Sequence, residues 1–203
     1  MANGRQCAAI WRVRESAGLA KLLGLLLLAM LVTSLCLATG EEEKLREMVK
    51  VGLRMADPAS AERNPVMAAY FFFRAAAAGH ARALQELTHL AERGEPEADF
   101  RLGLLYTAGK GVPQDFAAAS GWWRMAAEQG HAEAQLGLGG LYRDGQGVPA
   151  DPVQAYFWIK LAEVQGESGA SDVRAQLARD MDQEHIAEAE RNVREWQAAR
   201  STR

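Results

Sequence analysis

The chain has 203 residues, of which 49% are hydrophobic and 24% charged, and its formal net charge is −3. These globular proportions exclude a collagenous, coiled-coil or fully disordered chain, and the length allows one or two domains. Both cysteines, Cys7 and Cys36, precede residue 41, so residues 41–203 can hold neither a disulfide framework nor a cysteine-based metal site. Those residues carry 19 basic against 25 acidic side chains. An acidic body is a poor binder of nucleic acid, which needs a clustered positive field.

The first predicted element is an apolar segment, residues 22–40, which holds nineteen residues without a charge. That length just spans the hydrocarbon core of a bilayer. Four basic residues and one acidic residue precede it, and three glutamates follow it. The positive-inside rule therefore predicts a cytoplasmic N-terminus and an extracytoplasmic (periplasmic) body. Residues 1–40 are either an inner-membrane anchor or a signal peptide, because Ala38 and Gly40 offer small residues at the −3 and −1 positions of a cleavage site.

Residues 41–94 are predicted to hold a degenerate repeat and one extra helix. A first helix covers about 41–56, where apolar residues follow the spacing of one helical face. A second helix begins after Asn64, with Pro65 at its first position, where a missing N–H does no harm. The extra helix covers about 82–93 and makes the spacing of the units irregular there.

Two full repeats follow, residues 98–130 and 134–166, and an offset of 36 residues relates them. Each is predicted to be a pair of helices. Helix A ends at a Gly-x-Gly turn, and helix B begins at an aspartate N-cap. A lone helix pair cannot bury its apolar face, so the units must stack. The residues that recur are Leu102, Gly103, Tyr106, Gly109, Gly111, Asp115, Ala119, Trp122, Ala126 and Gly130, matched by Leu138, Gly139, Tyr142, Gly145, Gly147, Asp151, Ala155, Trp158, Ala162 and Gly166.

Glycine inside helix A is costly, by about 1 kcal/mol relative to alanine. Close approach of a bulky neighbour would explain Gly103 and Gly139. The hypothesis is that a column of aromatic residues supplies that bulk: Phe71, Trp122 and Trp158. A second apolar column is predicted to pack between the units: Phe72, Trp123 and Ile159.

Two terminal helices are predicted over 171–180 and 183–200, with Asp182 as the N-cap of the second. Ile186, Ala189, Val193 and Trp196 form one apolar stripe on it. A polar outer face suits the capping element of a solenoid. The alternative is an oligomerisation helix.

Taken together, these motifs resemble the Sel-like repeat (SLR) family of tetratricopeptide-like helical solenoids. The resemblance is specific over 98–166, looser over 64–94, and extends to the closing helix from Met181 to Trp196. It implies an all-α fold: a short α/α superhelix of helix pairs, with an N-terminal hydrophobic helix and a C-terminal capping helix. The predicted organisation is 1–40 as signal peptide or anchor, 41–94 as degenerate repeat plus extra helix, 95–130 and 131–166 as repeat units, and 167–203 as cap. Glu163 departs from the family, which has an alanine pair at this point.

No catalytic constellation stands out in the sequence. The Gly-Lys-Gly and Gly-Gln-Gly loops lack a phosphate-binding fingerprint and read as turns. His80 and His131 recur because the repeat recurs, and Asp182 with His185 lacks a third metal ligand. We therefore predict no cofactor and no metal.

Three residues are candidates for partner binding because they break the repeat pattern. Phe73 stands where the other units have Arg124 and Lys160, so it is expected either to be exposed or to be covered by the extra helix. Arg101 and Leu104 replace two glycines of the following unit. Aromatic and arginine side chains are enriched at interfaces.

The resemblance implies a non-enzymatic scaffold or adaptor of the bacterial cell envelope that binds a protein or peptide on its solenoid. The alternatives are an envelope enzyme or direct cell-wall-binding protein, and a self-associating structural subunit. An open groove with exposed apolar side chains would favour the scaffold, whereas a closed pocket of converging polar groups would favour an enzyme.

Overall fold

The computed structural model describes residues 40–201. The predicted membrane anchor or signal peptide lies outside these residues, apart from Gly40. Among the residues described, no helix combines the length and the apolar character that crossing a bilayer requires. The chain divides into two compact units, Met1–Arg46 and Glu47–Arg203. Of the first unit, residues 40–46 are described and are helical.

In the second unit the described residues form helices joined by turns, with no strand between residues 47 and 201, so the predicted all-α fold is correct. Helix α4 packs on α5 and α6 on α7, and α5 packs on α6, which is the stacking expected of an α/α superhelix. The helices are α1 (described over 40–56), α2 (Pro65–Ala77), α3 (Ala81–Glu92), α4 (Pro96–Ala108), α5 (Phe116–Glu128), α6 (Ala132–Asp144), α7 (Pro152–Val164), α8 (Ala170–Leu177) and α9 (Gln183–Ser201).

The predicted helix starts are confirmed by their caps. Asp115 accepts hydrogen bonds from two backbone N–H groups of α5, at 2.9 and 3.0 Å. Asp151 accepts two from α7, both at 3.0 Å, and Asn64 accepts one from α2 at 3.0 Å. These side chains satisfy N–H groups that the first turn of a helix leaves without partners.

The turns after α4 and α6 fit against a helix of the preceding unit. Gly111 and Gly147 adopt positive φ values of 72° and 70°, a conformation that other residues rarely adopt. A Cβ at Gly147 would overlap the backbone of Phe116, and one at Gly111 would overlap the carbonyl of Ala76. Both the conformation and the close approach therefore require glycine at these turns.

The hypothesis about the bulky neighbours of the helix glycines is wrong by one position. A Cβ at Gly103 would overlap the indole of Trp123, not Trp122, and one at Gly139 would lie 2.5 Å from Cγ1 of Ile159, not beside Trp158. The neighbour thus comes from the second apolar column, whose members Trp123 and Ile159 are 8% and 0% exposed. Adjacent residues point about 100° apart on a helix, so only one column can face helix A.

In the degenerate unit, Phe72 is the corresponding member of that second column. A Cβ at Gly52 would lie 2.6 Å from its ring, and Phe72 is fully buried. The same glycine-to-bulky contact therefore holds α1 against α2, whereas Phe71 is only half-buried.

Trp123 occupies the boundary between two units, as its column predicted. Its five-membered ring lies over Gly103 of its own unit, and its six-membered ring lies 2.8 Å from the position of a Cβ at Gly137 in the next unit. The indole N–H donates to the carbonyl of Phe100 at 3.1 Å. One side chain thus explains two helix glycines, including the glycine that Arg101 replaces in α4.

The extra helix α3 packs on α2 and α4, and α2 also packs on α4. At an offset of 36 residues α3 aligns with the helix B of a full unit, because Ala83, Leu87 and Gly94 correspond to Ala119, Trp123 and Gly130. The irregularity therefore lies between α2 and α3, whereas α3 and α4 follow each other with the ordinary spacing of the repeat.

The C-terminal helices lie on α7. Helix α8 ends at Leu177, three residues earlier than predicted, because residues 178–180 form a turn. From α8, Arg174 donates to both carboxylate oxygens of Glu163 at 2.8 and 3.2 Å and to the hydroxyl of Tyr156 at 3.2 Å. Glu163, the departure from the family's alanine pair, thus links α8 to α7.

Candidate functional site

The three predicted partner-binding residues do not form one cluster. The guanidinium of Arg101 lies 5.3 Å from the ring centre of Phe73 and 5.2 Å from that of Tyr70, distances at which a cation is attracted to an aromatic face. Phe73 is half-buried. Arg101 of α4 lies over its ring, a contact that neither expectation, exposure or cover by the extra helix, included. Leu104 packs instead against the buried cluster around Trp123.

Arg101 belongs to a network of polar side chains that joins two units. It pairs with Glu97 at 2.5 Å, and Glu97 also bonds to Nε2 of His131 at 3.1 Å. Burial raises the pKa of Glu97, but the bond to His131 and the charge of Arg101 outweigh it and hold that pKa below its ordinary value. The His131 ring stacks on Phe100, with centres 4.6 Å apart. This network of side chains holds α4 against α6.

His131 is engaged in a way that suits a structural cap. Its Nδ1 accepts a hydrogen bond from the N–H of Ala134 at 3.3 Å, and its Nε2 faces Glu97. With both ring nitrogens in use, it is not positioned as a general base for a substrate. His185 is paired locally with Asp182 at 2.9 Å, and in residues 40–201 no three His, Cys, Asp or Glu side chains are grouped as metal ligands.

A different surface carries the features of a binding site: an open groove of about 520 Å³ between α3, α4 and α5. Trp122 and Met125 form its apolar wall, and Met125 is 43% exposed. Large apolar side chains at this exposure in a concave surface are typical of protein-binding grooves. The groove is lined by Ala91, Glu92, Gly94, Asp99, Trp122, Met125, Glu128 and Gln129.

Asp99 is the buried polar group of this groove. The residue is 1% exposed. Its Oδ2 accepts a hydrogen bond from Gln129 at 3.2 Å, while its buried Oδ1 has no hydrogen-bond partner within the described chain. Burial raises the pKa of Asp99 to about 6, although the nearby His131 acts in the opposite direction. A carboxylate held in this way favours a cation or a donor brought by a ligand.

We expect Asp99→Asn to stabilise the fold at neutral pH. The pKa of Asp99 is about 6 in the folded chain against an ordinary 3.8, so the folded state binds more protons and stability falls as pH rises between about 4 and 6. Above that range the penalty is constant, at about 1 to 3 kcal/mol. Asparagine removes it, and urea unfolding at pH 4 and pH 7.5 measures the difference. Equal stabilities at pH 7.5 would contradict the assignment.

Sequence reasoning missed the groove, although the sequence contains a signal for it. An extra helix that only makes the spacing of the units irregular does not predict a surface shared with α4 and α5. Aligning Gly94 with Gly130 at the 36-residue offset places the end of α3 where a helix B ends. Asp99 then stands where the next unit has Gln135, and that exchange of amide for carboxylate was the detectable difference.

The sequence model of the Sel1 repeat matches three segments, residues 49–80, 96–131 and 132–165, which together cover half of the chain. The first segment corresponds to α1 and α2, so the degenerate unit is a repeat in its own right. The other two correspond to α4–α5 and α6–α7, and the residues of α3 fall outside the matches. Among curated proteins, none matches the chain.

Solved structures with the same arrangement include a protective antigen of uropathogenic Escherichia coli strains that displays an SLR fold. It is 26% identical over 77% of this chain, with a TM-score of 0.57. A Sel1 repeat protein from Oxalobacter formigenes is 37% identical over 55% of this chain, with a TM-score of 0.50. This chain covers 38% and 34% of the lengths of those two chains, so it spans about a third of each.

Proposed function

Because the chain belongs to the Sel1 repeat family, we propose that it is a non-enzymatic protein-binding scaffold of a bacterial cell envelope. Sel1 repeat proteins generally mediate protein–protein interaction. The observation that carries the proposal is the open groove between α3, α4 and α5, with Trp122 and Met125 on its wall. An apolar groove of this kind accepts a peptide or a helix of another protein.

The arrangement of polar groups supports a scaffold better than an enzyme. Glu97 and His131 bond to each other. His131 also accepts a hydrogen bond from a backbone N–H at the start of α6 and stacks on an aromatic ring. Asp99 lies in an open groove with one amide partner. Catalysis by a carboxylate or an imidazole requires a second group that is free to act on the same reacting atom. His131 lies near Asp99, but both of its ring nitrogens already have partners within the chain.

The extracytoplasmic location rests on residues 1–40. The apolar run of residues 22–40, with basic residues before it and glutamates after it, supports translocation of the body. The body contains no cysteine, so its fold is independent of the redox state of its compartment. A membrane anchor and a cleaved signal peptide both fit this location.

The test is crosslinking and co-purification of the tagged chain from its native cells, with solubilised membranes and the soluble periplasm treated separately. We expect a stoichiometric protein partner. Full-length chain in the membranes supports an anchor, and a shortened chain in the periplasm supports cleavage. Recovery from the cytoplasm contradicts the proposed location. Recovery of the chain alone, with a mass by light scattering that grows with concentration, contradicts the scaffold and favours a self-associating subunit.

A further inference from the structure

The open groove between α3, α4 and α5 is the first of two grooves, because it has a counterpart one repeat further along the chain. This second groove has a volume of about 370 Å³. Four repeat residues line one side of it, and each lies 36 positions after a residue that lines the first groove: Gly130, Leu161, Val164 and Gln165. The other side of it is formed by the C-terminal helix α9, through Trp196, Gln197 and Arg200. The contacts of α9 therefore show which kind of helix a groove at this position of the repeat binds.

Two side chains of α9, one helical turn apart, make the contacts with the second groove. Trp196 packs against the buried cluster that contains Leu161. The guanidinium of Arg200 lies 4.4 Å from the centre of the Trp196 ring. It donates to the carbonyls of Glu128 at 2.5 Å and Gln129 at 2.9 Å. A cation at the C-terminal end of a helix is favoured by the partial negative charge of the last carbonyls.

The same positions in the first groove remain uncovered by the described chain. Leu161 is 2% exposed beneath α9, whereas its counterpart Met125 is 43% exposed. A Cβ at Gly130 would lie 3.2 Å from Arg200, whereas no described atom comes within 4 Å of a Cβ at Gly94. The last carbonyls of α3 stand where those of α5 receive Arg200.

The first groove also differs from the second in charge. Glu92 and Glu128 are exposed beside it, and Asp99 is buried within it. In the second groove the counterparts of Asp99 and Glu128 are the neutral residues Gln135 and Val164. The first groove therefore attracts a more basic segment than α9, because three carboxylates lie where the second groove has one.

From these contacts we infer that the first groove binds an amphipathic, basic helix of another protein, with an aromatic residue and an arginine four positions after it. The inference rests on the proposed function and specifies its partner. A second copy of this chain is disfavoured as the occupant, because the apolar stripe of α9 is already used within its own chain: Ala189 is 0% and Val193 5% exposed.

The test uses a fluorescent peptide with the sequence of residues 183–201 in which Glu188→Lys and Glu195→Lys make the helix net basic; both glutamates are exposed. Its binding to the full chain, purified in mild detergent, is followed by anisotropy. We expect saturable binding. The same peptide with Trp196→Ala and Arg200→Ala is expected to bind at least tenfold more weakly, because it lacks the side chains that fit the groove.

Two matched variants of the full chain locate the site. Met125→Lys puts a cation on the apolar wall and is expected to weaken binding at least tenfold. Val66→Lys makes the same change outside the groove, at a residue that is 52% exposed, and is expected to alter binding less than twofold. Both positions are exposed enough to tolerate lysine, and a circular dichroism melt verifies that each variant is folded.

Each other result overturns the inference. Binding that Met125→Lys leaves unchanged means that the peptide displaces α9 from the second groove. A mass that doubles with concentration in the wild-type chain, and not in Met125→Lys, makes a second copy the occupant. Absence of peptide binding rejects the helix while leaving the scaffold intact, provided that co-purification still finds a stoichiometric partner.

Discussion

Gly139→Leu is expected to lower the free energy of unfolding by about 3 kcal/mol or more. A Cβ at this position would lie 2.5 Å from Cγ1 of Ile159, 3.1 Å from the carbonyl oxygen of Ala155 and 3.2 Å from the N of Ile159. Two of these atoms belong to the backbone of α7, so relief requires the helices to separate and not only a side chain to rotate. The melting temperature should fall by roughly 10 °C, as measured by circular dichroism.

The neighbouring glycine provides a matched control. Gly140 lies in the same helix, and a Cβ there would meet nothing within 4 Å. Gly140→Ala should therefore stabilise the chain by about 0.5–1 kcal/mol, because it reduces the freedom of the unfolded chain at no steric cost. A wild-type melt for Gly139→Leu would show that close approach of α6 and α7 is not what keeps glycine at position 139.

Trp123→Ala is expected to cost about 3–5 kcal/mol, the range for truncating a large buried aromatic residue. The indole is 8% exposed and fills the space over Gly103 and Gly137 at the boundary of two units. Its loss leaves a cavity there and removes the hydrogen bond to the carbonyl of Phe100. Urea unfolding measures the cost, and the loss should affect both units because they share this one side chain.

The adjacent tryptophan separates stability from binding. Trp122 is half-buried on the groove wall, so Trp122→Ala should cost less than Trp123→Ala, about 1–2 kcal/mol, since part of that side chain already contacts water. Equal destabilisation by the two variants would contradict the assignment of Trp123 to the core and of Trp122 to the groove.

The repeat pattern predicted most of the fold because it encodes local chemistry. The N-caps at Asp115 and Asp151 and the turn glycines each depend on one residue and its nearest backbone, so a single sequence is enough to place them. The stacking of units follows from the same pattern, since a helix pair cannot bury its apolar face alone.

The groove and the correct neighbours of the helix glycines were not predictable in the same way. Choosing between Trp122 and Trp123 depends on how far helix B is rotated about its axis, which a column of similar residues does not define. Phe73 and Arg101 both break the pattern, and their side chains do contact each other. However, a break in the pattern does not reveal whether the pair faces a partner or fastens two helices of the chain.

The packing of α9 against the last unit also determines how the number of open grooves depends on the number of repeats. The junctions of α3 and of α5 with the units that follow them each form one groove, and the terminal helix covers the second. An additional unit inserted before α9 would bring one further open groove, with side chains of its own to select a ligand. Duplication of a 36-residue segment therefore converts a receptor for one helix into a multivalent receptor, while the terminal helix α9 stays unchanged.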